Sequence, residues 1–147
     1  MRSLITFRKM TTEDLDAVSQ MEKRIFSMPW SRDAYEKALA DQNVVYVVAK
    51  DGNRVVGSCG VRNILSEGEV TNVMIDLPYR KRGISYPMLT KLLAMGEAMG
   101  IRRFFLEVRC SNEPAIRLYR KCGFESAGVR RGLYERPAED GLVMWKR

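Results

Sequence analysis

"DLPYRKRGISYPMLTKLL", residues 76–93, sets Arg80, Lys81, Arg82 and Gly83 directly ahead of an apolar run with helical spacing. The first turn of a helix already carries partial positive charge, so three cations there repel it unless an anion sits among them. Backbone N–H groups opening a helix form a ready phosphate site, and a glycine lets the ligand approach the chain closely. A solvated basic loop is the plainer alternative. The stretch also governs the fold. A strand, "EVTNVMID", precedes it and another, "RRFFLEV", follows the helix, so the unit reads as a strand–helix–strand crossover between parallel strands.

Working outward, the helix of this unit places Met88, Leu89, Leu92, Leu93 and Gly96 on one face, with Gly100 as its stop. Pro87 is tolerable in the first turn, where it removes no intrahelical bond. Upstream, "LITFRKM" is a short strand. "TTEDLDAVSQMEKRIF" follows as a helix capped by Thr11 or Thr12, with Leu15, Val18, Met21 and Ile25 on one stripe. Met28-Pro29-Trp30 interrupts it, and Ser31 caps a second helix ending near Ala40. "VVYVVAK" and "RVVGSCGVRNI" flank Asp51-Gly52-Asn53, a strong hairpin signal, and the next turn is expected around Glu67-Gly68. Downstream, "NEPAIRLYRKCGF" specifies a helix with Asn112 as cap, Pro114 in the first turn and Gly123 as stop. "FESAGVRRGLY" and "DGLVMWK" read as two closing strands. Seven strands and four helices give a mixed α/β (α+β) domain on a largely antiparallel sheet, expected to be one domain over residues 1–147.

Of the 147 residues, 46% are hydrophobic and 29% charged, enough for an ordinary globular core. The apolar run Val44–Ala49 is far too short to span a bilayer, and the N-terminus lacks the apolar core of a secretory signal, so the expected location is cytoplasmic. Cys59, Cys110 and Cys122 are unevenly spaced, which argues against a disulfide framework and a zinc site; no metal is expected. There is no histidine. Acid–base chemistry must therefore fall to carboxylates, tyrosine, lysine, cysteine or water. The net charge of +7 favours anionic partners such as polyphosphate cofactors, nucleic acid or an acidic protein face.

In "RRFFLEVRC", strand alternation puts Phe104, Leu106 and Val108 on one face and Phe105, Glu107 and Arg109 on the other. A carboxylate deep in an apolar strand is costly unless paired, for example with Arg109, or functional. At the carboxyl end of a strand beside the crossover, Glu107 lies where open α/β sheets bind ligands, which suits a general base. Tyr119 falls seven residues after Asn112, two helical turns along the same face.

In order and spacing, "NVMIDLPYRKRGIS" (72–85), "LEVRCSNEPAIRLYRKCGF" (106–124) and "LYERPAEDGLVM" (133–144) resemble the Gcn5-related N-acetyltransferase (GNAT) superfamily. The second block is especially similar to its ribosomal-protein alanine N-acetyltransferase branch. The resemblance covers essentially the whole chain, including "MPWS" at 28–31. It implies that acetyl-CoA is bound, with Val73, Met74 and Ile75 along the pantetheine arm through backbone hydrogen bonds. Arg80, Lys81, Arg82, Gly83, Ile84, Ser85 and Tyr86 would hold the pyrophosphate, and Asn112 would add a contact. Glu107 matches the general base and Tyr119 the general acid. Trp30, Tyr134 and Asp140 fall in segments that frame a peptide substrate. The implied reaction acetylates the N-terminal alanine of a ribosomal protein, the eighteenth of the small subunit, without need of direct nucleic-acid or membrane binding. The sequence departs from the family's loop at Ser85, and has Gly132-Leu133-Tyr134 where the alanine branch commonly has Asn-Tyr-Tyr. The alternatives are acetylation of a small amine or another protein, and a non-catalytic ribosome- or RNA-binding module.

Overall fold

Turn chemistry sets the central strands. Gly52 takes φ +61° between β2 (Val44–Asp51) and β3 (Arg54–Ile64), the left-handed geometry that the Asp-Gly pair supplies. The next hairpin departs from the expected position. Its turn is Leu65-Ser66, both left-handed at φ 51° and 73°, and β4 (Glu67–Ile75) already begins at Glu67. Gly68 serves packing instead: a Cβ there would lie 2.8 Å from the Phe104 ring and 2.9 Å from Ile101.

The computed structural model describes residues 4–147, and these form a seven-stranded sheet with four α-helices. β1 (Ile5–Lys9) leads into α1 (Leu15–Ile25) and α2 (Arg32–Ala40) before the β2–β3–β4 meander. After it come α3 (Ser85–Ala98), β5 (Arg103–Arg109), α4 (Glu113–Lys121), β6 (Glu125–Glu135) and β7 (Ala138–Lys146). The spatial order is β1-β2-β3-β4-β5-β7-β6, antiparallel throughout except for the parallel β4–β5 pair that α3 connects.

Both faces of the sheet are covered, which is why β2 reads as a continuous apolar run rather than an alternation. Val45, Val47 and Ala49 belong to the core on the side of α3 and α4, while Tyr46 and Val48 belong to the core on the side of α1 and α2. On α3 the stripe Met88, Leu89, Leu92, Leu93 and Gly96 is buried as its spacing predicts. Burying each leucine contributes roughly 1.5–3 kcal/mol. Among the described residues no helix is long and apolar enough to cross a membrane.

The parallel pair makes room for a site. β4 and β5 pair only from Glu67–Glu69 to Arg103–Phe105 and then diverge. Ser58 is registered with Met74 and Gly60 with Thr71, so Cys59 on β3 faces two residues, Asn72 and Val73, on β4. Asn72 sits at φ 54° in this bulge. Such an insertion bends its strand, and here it accompanies the divergence of β4 from β5.

Candidate active site

The divergence opens a cleft of 740 Å³ with β4 residues Val70–Val73 on one wall and β5 residues Leu106–Arg109 on the other. Ile25, Phe26, Ser27 and Met28, at the end of α1 and just after it, close one side, and Leu133–Pro137 at the β6–β7 turn close another. Ser27 Oγ donates to the Arg136 carbonyl at 2.6 Å, joining these two segments.

Glu107 and Tyr119 both line this cleft. Glu107 stands on the β5 face away from Phe104, Leu106 and Val108, with its side chain 23% exposed. It is therefore less deeply buried than the apolar strand around it suggests. Its cation is not Arg109. Arg130 Nη1 donates to Glu107 Oε2 at 2.6 Å, reaching from β6. Arg109 instead donates to the carbonyls of Pro137 and Arg136 at 2.7 and 3.1 Å and to Glu139 at 3.3 Å. Its guanidinium lies 4.4 Å from the centroid of the Tyr134 ring. Arg109 thus fixes the β6–β7 turn that forms one rim of the cleft.

Tyr119 reaches the cleft because α4 starts where expected. Asn112 Oδ1 accepts from the Ala115 N–H at 3.3 Å, and Pro114 occupies the first turn. One residue earlier the Ser111 N–H donates to Glu139 at 2.7 Å, and the Ser111 side chain first, then this N–H and Arg109, hold the Glu139 carboxyl below the usual carboxylate range. The Tyr119 ring packs edge-on against Phe124 at 5.9 Å. Burial pushes its phenol well above the ordinary tyrosine value, with smaller contributions from Cys59, Tyr134 and Cys122. Tyr134, also on the cleft, is raised by burial and then by Glu107.

From the β4 wall the chain runs into the basic loop. Asp76 caps a single 3-10 turn, Leu77–Tyr79, and Arg80 Nε donates back to the Ile75 carbonyl at 3.0 Å. Lys81 and Gly83 are left-handed at φ 62° and 74°. Nothing lies within 4 Å of where a Gly83 Cβ would stand. Ile84 at the start of α3 supplies no side-chain cap, and the first turn, with Ser85 and Tyr86, holds no acid. Uncapped N–H groups, an open glycine and three adjacent cations form a donor set suited to a pyrophosphate. Met74 and Ile75 bury their side chains in the core, while Val73 and Asn112 line the cleft itself.

Two residues of the peptide-framing set lie elsewhere. Trp30 lines a separate hollow of 250 Å³ with Tyr46 and Thr71, its ring 5.4 Å from that of Tyr35. Asp140 accepts from the Gly132 N–H at 2.8 Å and, through its carbonyl, from the Cys110 N–H at 3.1 Å, shaping the strand irregularity before Tyr134. Sequence reasoning overlooked Arg130, the turn-fixing role of Arg109, and Asn72. For Asn72 a signal existed, because asparagine inside a strand favours the left-handed conformation of a bulge. Among the described residues no group of three or more Cys, Asp or Glu side chains is placed to hold a metal ion.

Residues 15–124 match the acetyltransferase (GNAT) family. The N-alpha-acetyltransferase RimI of Mycobacterium tuberculosis is 32% identical over 146 residues, covering 95% of this chain and 90% of that protein. The [ribosomal protein bS18]-alanine N-acetyltransferase of Escherichia coli K12 is 29% identical over 136 residues, 92% of this chain and 90% of that one. The crystal structure of the ribosomal-protein-S18-alanine N-acetyltransferase from Escherichia coli superposes with a TM-score of 0.87 at 27% identity, covering 97% of this chain and 93% of that chain.

Proposed function

From the premise that this chain belongs to the acetyltransferase (GNAT) family, we propose that it transfers acetyl from acetyl-CoA to the N-terminal alanine of a ribosomal protein, the eighteenth of the small subunit. Residues 1–147 act as one catalytic domain, and the ribosomal substrate meets it in the cytoplasm. The observation that carries this reading is that Glu107 and Tyr119 share one cleft whose β4 wall leads into the Arg80–Tyr86 loop.

In this reading the backbone of Val73, Met74 and Ile75 holds the pantetheine arm. The Arg80–Tyr86 loop holds the pyrophosphate, and Asn112 adds a contact beside the cleft. Tyr134, with Phe26 and Met28 on the adjoining segment, meets the acceptor peptide; Trp30 and Asp140 act at one remove by shaping the segments around it. A peptide α-amine has a pKa of ~8, so deprotonating it at pH 7 costs about 1.4 kcal/mol, against about 4.6 for a lysine amine at ~10.4. Glu107, directly or through water, accepts the amine's proton, and Tyr119 holds the proton that the departing sulfur needs. The chain has no histidine, and this scheme requires none.

The test is mass spectrometry of a peptide beginning with alanine after incubation with acetyl-CoA, beside the same peptide with a blocked N-terminus. Acetylation of the free N-terminus alone is expected. Faster acetylation of an internal lysine would overturn the assignment to α-amines.

A further inference from the structure

Glu22 occupies the core-facing stripe of α1, four residues after Val18, where an apolar side chain would serve packing better. It is 1% exposed, and among the described residues no Lys or Arg forms an ion pair with it. Burying a carboxylate without a cation is costly, so it needs several hydrogen-bond donors aimed at it. Glu22 has them, all neutral. The Trp30 N–H donates to Oε2, and the Tyr35 hydroxyl donates to Oε1. Asn72 Nδ2 donates to Oε1 at 3.3 Å. Asn72 thus turns its amide NH₂ toward Glu22 and its oxygen away. That oxygen accepts from the Tyr46 hydroxyl at 3.0 Å.

The three donors come from three places: the segment between α1 and α2, the helix α2, and the bulge of β4. Two of these belong to the cleft. Phe26, Ser27 and Met28 form its α1 side, and Asn72 lies in its β4 wall, next to Val73. Asn72 is held at φ 54°, and its side chain is fixed by Glu22 and Tyr46. We propose that Glu22 is a positioning residue that ties the α1–α2 segment to the β4 bulge, setting the separation of the wall that meets the acceptor peptide from the wall that meets the acetyl donor. The consequence for catalysis rests on the acetyl-transfer reading above. The tie itself does not.

Glu22→Gln keeps the length and shape of the side chain but turns one acceptor into a donor, which faces the Trp30 N–H or the Tyr35 hydroxyl. Tyr35→Phe removes one hydroxyl from the same network and serves if the Gln variant does not fold. A loosened wall misplaces the attacking amine, so kcat/KM for the alanine peptide should fall about 10²-fold. Acetyl-CoA affinity by calorimetry should change less than about threefold, since the basic loop is untouched. Amide hydrogen exchange at Trp30 should rise about tenfold or more, with exchange in β5 unchanged. A residue that merely supports the fold would move both substrates and exchange throughout the sheet together, and that result overturns the proposal. So does unchanged exchange at Trp30 in a folded variant, or a peptide kcat/KM that stays at the unmodified protein's value. If the unmodified protein acetylates no alanine peptide, the functional reading fails, while the exchange measurement still decides whether Glu22 ties the two walls.

Discussion

Arg130 Nη1 donates to Glu107 Oε2 at 2.6 Å, so the carboxylate of the cleft is oriented by a cation whose own side chain is 61% exposed. Gly141 of β7 lies in register between Arg109 of β5 and Arg130 of β6, and Glu107 is registered with Val143 two residues on, so the Arg130 side chain reaches across β7 to it. An ion pair this accessible contributes little stability, about 0–1 kcal/mol, and its value lies in aiming the carboxylate.

That geometry makes Glu107→Gln a clean probe. The amide oxygen still accepts from Arg130, so the strand and the cleft wall should persist, but the group no longer takes a proton. Turnover should fall by about 10²–10⁴-fold with acetyl-CoA affinity little changed. Raising the pH toward ~9 should restore part of it, because more of the amine then arrives neutral. Single-turnover rates from pH ~6 to ~9 measure this, and a variant with the unmodified protein's rate at neutral pH would remove Glu107 from the proton transfer.

Acid stability should depend on Asp14. Burial alone would raise its carboxyl, but the Arg8 guanidinium and the Thr11 N–H outweigh burial and hold it below the ordinary aspartate value. A carboxyl depressed in the folded state contributes stability above its unfolded pKa of ~3.9, and the contribution disappears as pH falls through the folded value. Asp14→Asn should cost about 1.5–3 kcal/mol at neutral pH, the range for hydrogen bonds to a charged group. The gap between variant and parent should narrow as the pH falls from about 5 toward about 2. Urea unfolding at several pH values tests it; a gap that stays constant would mean that the Asp14 charge is not involved.

Gly83 is the position at which the basic loop is most easily spoiled. Its φ of 74° is unfavourable for a β-branched residue, and the space beside it is open to at least 4 Å, where the proposed pyrophosphate needs access. Gly83→Val should weaken acetyl-CoA binding about tenfold or more in calorimetry, and the strained φ should lower the melting temperature by about a few degrees without unfolding the protein at ~25 °C. Affinity of the unmodified protein should also fall as salt rises, since exposed cations supply it. Equal affinity of the two proteins would locate the phosphates elsewhere.

The parts of this fold that were legible carry their signals locally. The α3 stripe repeats at helical spacing, Asn112, Pro114 and Gly123 punctuate α4, and Gly52 marks its hairpin. The β3–β4 turn was misplaced because Leu65 and Ser66 carry no strong turn chemistry, while Gly68, which does, is needed for its closeness to Phe104. At the site, alternation along β5 put Glu107 on the correct face. Its partner was hidden, since Arg130 reaches it only through the β5–β7–β6 register and a strand irregularity after Arg130. The same holds for Glu22 and Asn72, which are 50 positions apart and meet only when α1 packs on the sheet.

The sharpest distinction between the two ends of the reaction lies in Tyr119. Tyr119→Phe keeps the ring that packs against Phe124 and removes only the hydroxyl, so α4 and the cleft should stand. The proton for the departing sulfur is then missing, and turnover should fall by about 10²–10⁴-fold. Higher pH should not rescue this variant, because its defect lies on the leaving-group side rather than at the amine. The unmodified protein has a matching signature. Burial raises the Tyr119 phenol, so it keeps its proton through the whole range in which the α-amine loses one. Its single-turnover rate should therefore climb as the amine deprotonates near pH ~8 and then stay level to about pH 10, with no alkaline fall from Tyr119. An ordinary exposed phenol would begin to switch off there. Rates of the unmodified protein and of the Tyr119→Phe variant from pH ~6 to ~10 would show it. An alkaline fall near pH ~9 that vanishes in the variant, or a variant rescued by alkali, would take the acid role away from this tyrosine.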